Sequence, residues 1–287
     1  PIDIGFYEYQ YISRFSTMPQ IYVAEQRAGR GTGDNWENAT DDLRGAIIGA
    51  AHPEQNAKED RTIYVKHGHY VSPSLNQDGT AFPIHTSNLP SGKQLNLTIK
   101  GSCTGIGLGS KAVQNFSQPS YIAAHPQMTA QTKQLFDISV NSGKRLTLEG
   151  FSMTNAKPEK EGGTAVSGTA VKLTKVAKDG QMALRQVALR GNRVGMEVGK
   201  NALQEGGKLL AVNTLFADNQ TGLAFDEQAP ISVNHATLVN TTFANNQTAD
   251  MNTAVPATYN SVAWNNGRNH MPKDDPHAAA EERKYYN

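Results

Sequence analysis

Apolar residues recur along this chain in short runs, each closed by Gly, Pro, Ser or Asn, and a single stretch carries a helical period. Residues 21–24, 62–65, 95–99, 121–123, 135–140 and 146–148 have the length and side-chain types of strands, with turn formers between them. In NATDDLRGAIIGAA, Leu43, Ile47 and Ile48 recur at helical spacing behind Thr40, the expected N-cap, with Asp41 and Asp42 in the positive first turn. The pattern predicts an all-β chain with one amphipathic helix at about residues 40–51. At the front, PIDIGFYEYQYISRF places Tyr7, Tyr9 and Tyr11 on one face of an extended strand. That strand either folds over the body or presents an aromatic edge to sugar rings or a partner chain. Residues 105–133, rich in Gly, Gln, Ser and Pro, fit a loop or irregular coils.

The second half repeats itself. ALRQVALRGNRVGMEV, LAVNTLFADNQTGLAF and TLVNTTFANNQTADMN superpose without gaps, bringing Asn192, Asn219 and Asn246 into correspondence at intervals of 27 residues. Gly195 and Gly222 also correspond, as do Leu189, Phe216 and Phe243. YNSVAWNNG at 259–267 repeats the ending, and LTLEGFSMTN at 146–155 is an earlier copy. A helix-free repeat of this length implies a solenoid whose coils stack on one another. Alternation points Val187, Leu189, Val212, Thr214, Phe216, Val239, Thr241 and Phe243 inward. The outward set is then Gln186, Ala188, Arg190, Asn213, Leu215, Ala217, Leu238, Asn240 and Thr242. Asn tolerates a left-handed backbone and bonds to its neighbours, so Asn192, Asn219 and Asn246 are expected to form a structural turn ladder.

Taken with IYVAEQRAGRGTGDNWENATDDLRGAI, RTIYVKHGHY and LTIKGSC, these coils resemble the right-handed parallel β-helix proteins of the pectin-lyase-like superfamily, of bacterial extracellular type. The resemblance implies a solenoid over residues 21–267, capped at its N-terminal end by the helix. It leaves residues 1–20 as an aromatic segment and 268–287 as a polar tail. It does not fix an activity, because this architecture hosts lyases, hydrolases, epimerases, tailspikes and non-catalytic surface proteins.

Composition narrows the partners. With 27 Lys plus Arg against 26 Asp plus Glu the formal charge is +1, so no basic stripe for nucleic acid is advertised. The single Cys103 excludes an internal disulfide and reads as a small buried hydrophobe. No run approaches the roughly 18 apolar residues of a membrane span. The opening Pro1, in place of Met, is expected of a processed or trimmed chain. The Gly-rich turn AGRGTGDNW completes no phosphate-binding motif, and no GxSxG accompanies a nucleophile.

Elimination on a uronate polymer needs a cation to neutralise the carboxylate and a base near the transferred proton; hydrolysis needs two spaced carboxylates. Arg185, Lys175 and Glu149 are the candidates for neutraliser, base and partner if loops collect them. His67 and His69 share a strand face, His85 flanks the first coils, and Asp218, Asp226 and Glu227 leave calcium at a turn as an alternative that no motif supports; the expectation is no metal and no other cofactor. For a binding protein, Tyr7 and Tyr9 supply a stacking surface and Asn213, Asn240 and Thr242 supply hydrogen bonds. The reading favours a secreted or cell-surface protein with a non-catalytic glycan-binding, adhesive or structural role, its partner a polysaccharide or surface protein. The opposed readings are a polysaccharide lyase or related enzyme and a phage-like trimeric spike that uses Leu215 and Leu238 as a homo-oligomer interface.

Overall fold

The computed structural model describes residues 14–54, 59–86, 95–154, 168–203, 206–226, 235–247 and 257–267. Tyr7, Tyr9, Tyr11, Glu227 and the tail 268–287 lie outside them. Twenty strands among the described residues form three all-parallel sheets, and from β2 to β18 successive strands of the chain visit the sheets in turn. The first sheet holds β1 (Gln20–Val23), β2 (Asp60–Lys66), β5 (Asn96–Cys103), β8 (Arg145–Glu149), β11 (Gln181–Arg185), β14 (Lys208–Val212), β17 (Ala236–Val239) and β19 (Ala257–Tyr259), in that spatial order. The second is β3 (Gly68–Val71), β6 (Ser120–Ala123), β9 (Phe151–Thr154), β12 (Ala188–Arg190), β15 (Leu215–Ala217), β18 (Thr242–Ala244) and β20 (Val262–Trp264). The third is β4 (Thr80–His85), β7 (Gln134–Val140), β10 (Thr169–Val176), β13 (Val194–Val198) and β16 (Thr221–Phe225). This is a parallel β-helix, and residues 105–133 form one of its coils around β6.

Because register partners stack rung on rung, like residues stack too. Ile21, Ile63, Ile99, Leu148, Leu184, Ala211 and Leu238 form one buried inward column of the first sheet. Phe216 lies on Phe243 with ring centroids 4.8 Å apart, and Phe82 on Phe136 at 5.3 Å. Gly195 is required by such proximity, since a Cβ there would lie 2.5 Å from the carbonyl oxygen of Gly222 on the next coil. The N-terminal end is closed by α1 (Leu43–Ala51), whose Leu43, Ala46, Ile47, Ala50 and Ala51 are buried. Its cap is Asp42, whose carboxylate accepts from the Gly45 amide, rather than Thr40. Thr40 is two residues too early because its backbone pairs with Tyr22 and Ala24, and its hydroxyl accepts from the Asp42 amide.

Two further expectations are corrected at the corners. Asn213 and Asn240 do not stand on strands; they sit at φ of 51° and 49° between the first and second sheets, where the Asn240 Nδ2 donates to Asn213 Oδ1 at 3.1 Å. Such a left-handed residue resets the alternation, so Leu238 points inward and is fully buried while Val212 and Val239 are half-buried. Ala217 is buried as well, and Leu215 is only half-buried, which removes Leu238 from any subunit interface.

The ladder residues take a different place. Asn192, Asn219 and Asn246 are buried beneath the second corner. Each side chain bonds both along the coil stack and to a strand carbonyl. Asn219 Oδ1 accepts from the backbone N and the Nδ2 of Asn192 at 2.9 and 3.1 Å, while Asn219 Nδ2 donates to Leu189 O and to Asn246 Oδ1 at 2.9 and 3.0 Å. Asn246 repeats the pattern with Phe216 O and Asn266 Oδ1.

Candidate functional site

Three polar columns cover the outer face of the first sheet. Tyr22, Tyr64, Lys100, Glu149 and Arg185 follow one another in register; beside them run Thr62, Thr98 and Thr147, then Asp60, Asn96, Arg145 and Gln181. The strand geometry forces this, because a residue between two buried apolar neighbours must point outward.

The N-terminal part of this face is covered. Tyr22 stacks on Tyr64 at 5.1 Å and meets Trp36 edge-on at 4.9 Å, and the Trp36 Nε1 donates to Gly107 O at 2.7 Å. The Gly109 amide donates to the Tyr22 hydroxyl at 2.7 Å, and Thr104 and Val113 exchange backbone bonds with their own loop. Residues 104–113 thus form a hydrogen-bonded wall at one end of the face, with Ile106 and Leu108 largely exposed. Cys103 lies sealed below this wall, and burial pushes its thiol up to about 12, far from a nucleophile's range.

Beyond the wall the column continues with Lys100, Glu149 and Arg185 on consecutive rungs roughly 4.8 Å apart. Lys100 and Glu149 are half-buried and Arg185 is exposed. With Arg145 in the next column but one, three cations surround Glu149, framed by the Thr98 and Thr147 hydroxyls, and exposed Asp60 and Lys208 stand before and after them in the Arg145 column. That concentration of positive charge is invisible in a net charge of +1.

The structure therefore brings Glu149 and Arg185 together and leaves Lys175 apart. Lys175 is on the third sheet, where a bulge after Leu173 turns it outward and its Nζ donates to Asn141 Oδ1 at 3.4 Å. Lys100, rather than Lys175, stands beside Glu149, and the sequence carries a signal for it: LTIKG and LTLEG, set side by side, align Lys100 with Glu149. Thr242 stands half-buried on the second sheet, in line with Leu215, away from this face. His67 occupies the corner after β2 while His69 is on β3, stacked on Tyr121 at 4.8 Å, so the two do not form a pair on one strand face. Among the described residues no group of three or more His, Cys, Asp or Glu could hold a metal ion.

A second charged file crosses the third sheet, where Asp137, Lys172 and Glu197 are register partners on consecutive rungs. Lys172 Nζ is 3.5 Å from Glu197, and His85 Nε2 is 3.4 Å from Asp137, whose other oxygen accepts from the Thr174 hydroxyl at 3.1 Å. The hydrogen bond to Asp137 holds the His85 imidazole above its ordinary value, aided by the charges of Asp137 and Asp78 and opposed by burial. A base raised by folding stabilises the fold below its unfolded pKa and loses that contribution as pH rises through the folded value. Accordingly, urea midpoints measured from pH 5.5 to 8.5 should fall with rising pH, and His85→Gln should flatten part of that slope. An unchanged slope in the variant would assign the pH dependence elsewhere.

No family model matches this chain, and no curated protein matches it. Among solved structures it is similar to the crystal structure of pectate lyase Pel9A, at 15% identity with a TM-score of 0.41, over 91% of this chain and 57% of that one. The chain thus spans little more than half the length of that neighbour, and the fold assignment stands on the three stacked parallel sheets themselves. No described helix is long and apolar enough to cross a membrane.

Proposed function

We propose that this chain is a secreted or cell-surface β-helix that binds an extended acidic polysaccharide on the outer face of its first sheet, without cleaving it. The observation that supports this reading is the open run Lys100, Glu149 and Arg185, with Arg145 beside it and threonine hydroxyls between. Such a face offers charge-assisted hydrogen bonds at the rung spacing, along a direction in which a linear polymer can lie. Glu149, set between two cations, disfavours any polymer that cannot donate a hydroxyl to it, which gives the face selectivity beyond charge.

The test is binding of polygalacturonate and of a neutral glucan, followed by calorimetry at low and moderate salt. The expected result is preference for the acidic polymer, weakened by salt and reduced about tenfold or more in the double variant Lys100→Ala, Arg185→Ala, equivalent to roughly 1.4 kcal/mol. Equal binding of both polymers, or no effect of the double variant, would remove the proposal. Elimination produces an ultraviolet-absorbing unsaturated uronide, so a rising absorbance that Arg185→Ala abolishes would replace binding with lyase activity.

A further inference from the structure

The third sheet carries a row that shares only His85 with the salt-bridged file and nothing with the polysaccharide face. His85, Ser139 and Lys175 are register partners on β4, β7 and β10, three consecutive rungs. On β7, Ile138 and Val140 are fully buried, so Ser139 between them faces out. His85 and Lys175 are exposed on either side of it. We propose that this row binds an oxyanion, the carboxylate or sulfate group of an acidic ligand.

The chemistry of the three side chains favours that class. Asp137 takes the His85 Nε2, which leaves Nδ1 as the imidazole's remaining polar atom. Lys175 gives one hydrogen to Asn141 Oδ1 and retains two. Among the described residues the Ser139 hydroxyl makes no side-chain hydrogen bond, while its backbone oxygen accepts from Thr86. With imidazolium, hydroxyl and ammonium side by side at roughly 4.8 Å, one oxyanion can accept from two neighbours at about 2.8 Å each.

The nearby carboxylates do not cancel the row. Asp137 has a side chain only 11% exposed and is held by the Thr174 hydroxyl and His85. Glu197 is taken up by Lys172 and by the Thr169 hydroxyl. Asp78, ahead of β4, is the other acid that acts on His85. Because the row needs the imidazolium, its affinity falls as pH rises.

The experiment is a titration of the intact chain with sodium sulfate and, separately, sodium acetate at constant ionic strength, following the His85 ring resonances by NMR at pH 6.0 and pH 8.5. Saturable shifts at pH 6.0, at least fivefold weaker at pH 8.5 and at least fivefold weaker in Lys175→Ala, would establish the row. Saturation by sulfate alone or acetate alone would establish it for that group. Arg185→Ala should leave the titration unchanged, which separates this site from the first-sheet face. Shifts that stay linear with both anions, or saturation that Lys175→Ala and Ser139→Ala leave intact, would overturn the proposal.

Discussion

Replacing Asn219 with alanine is expected to lower unfolding free energy by about 3 kcal/mol or more, although no contact with any ligand is involved. Asn219 is 1% exposed and serves four bonds, accepting two from Asn192 and donating one each to Leu189 O and Asn246 Oδ1. Truncation strands those partners inside the coil stack, and each buried polar group left unpaired costs about 1 to 3 kcal/mol, partly recovered by relaxation. Asn219→Asp sharpens the test. An ionised carboxylate there has no donor for Leu189 O or Asn246 Oδ1, so its folded pKa must rise. The variant's stability should then be greater near pH 4 than at pH 7, relative to the parent. Asn240→Ala, in the exposed corner at φ 49°, should cost only about 1 to 2 kcal/mol from backbone strain, and Asn240→Gly should remove most of that cost. Equilibrium denaturation measures all four variants, and an Asn219→Ala loss no larger than that of Asn240→Ala would refute the ladder's importance.

The second large effect is expected at Arg61, which occupies an inward position of β2 in the file of Leu97 and Leu146 and is 1% exposed. Among the described residues no carboxylate pairs with its guanidinium. It donates to the carbonyl oxygens of Phe15 and Ser16 at 2.7 Å each and, twice, to that of Met18. Those carbonyls belong to and follow the helical turn at residues 14–17. Burial pulls the Arg61 pKa down to about 10, so the group remains charged at neutral pH. Arg61→Met should cost about 2 to 4 kcal/mol, since three backbone acceptors lose their donors together. Arg61→Lys should recover less than half, because an ammonium cannot reproduce the planar fork. Hydrogen exchange should place the damage first at residues 14–23, where the turn loses its anchor to the first full coil. Uniform protection of that segment in Arg61→Met would disprove the anchoring role.

The coil architecture was legible because Asn192, Asn219 and Asn246 recur at one spacing, as coils of equal length stacked in register must. The central inward residues Leu189, Phe216 and Phe243 were legible for the same reason. Leu238 was misplaced because counting by twos from Phe243 passes through Asn240, whose left-handed backbone turns a corner and changes which residues face inward. At the helix start, Thr40, Asp41 and Asp42 are all competent caps, and long-range pairing of Thr40 with Tyr22 decides among them. Arg61 carried no local sign of burial, since its partners lie more than 40 residues earlier. Glu149 and Arg185 were selected as charges that loops could collect, but their adjacency follows from the register of β8 and β11. His85 and Asp137 are 52 residues apart and meet only because β4 and β7 pair.

The asparagine ladder has a consequence for how such a molecule can change size. From Ala183 to Asn246 each coil presents the next one with the same amide, the same inward aromatic or aliphatic residue and the same corner at a period of 27 residues, and the last described coil keeps the amide and the corner at a spacing of 20. Gaining or losing one whole period therefore re-joins matching surfaces, and the cross-section is preserved. Lys100, Arg145 and Arg185, the last at the start of the first repeated coil, and the row on the third sheet lie at or before that coil. Length at the C-terminal end is in this way a free variable, adjustable by duplication or deletion without disturbing the chemistry nearer the helix-capped end.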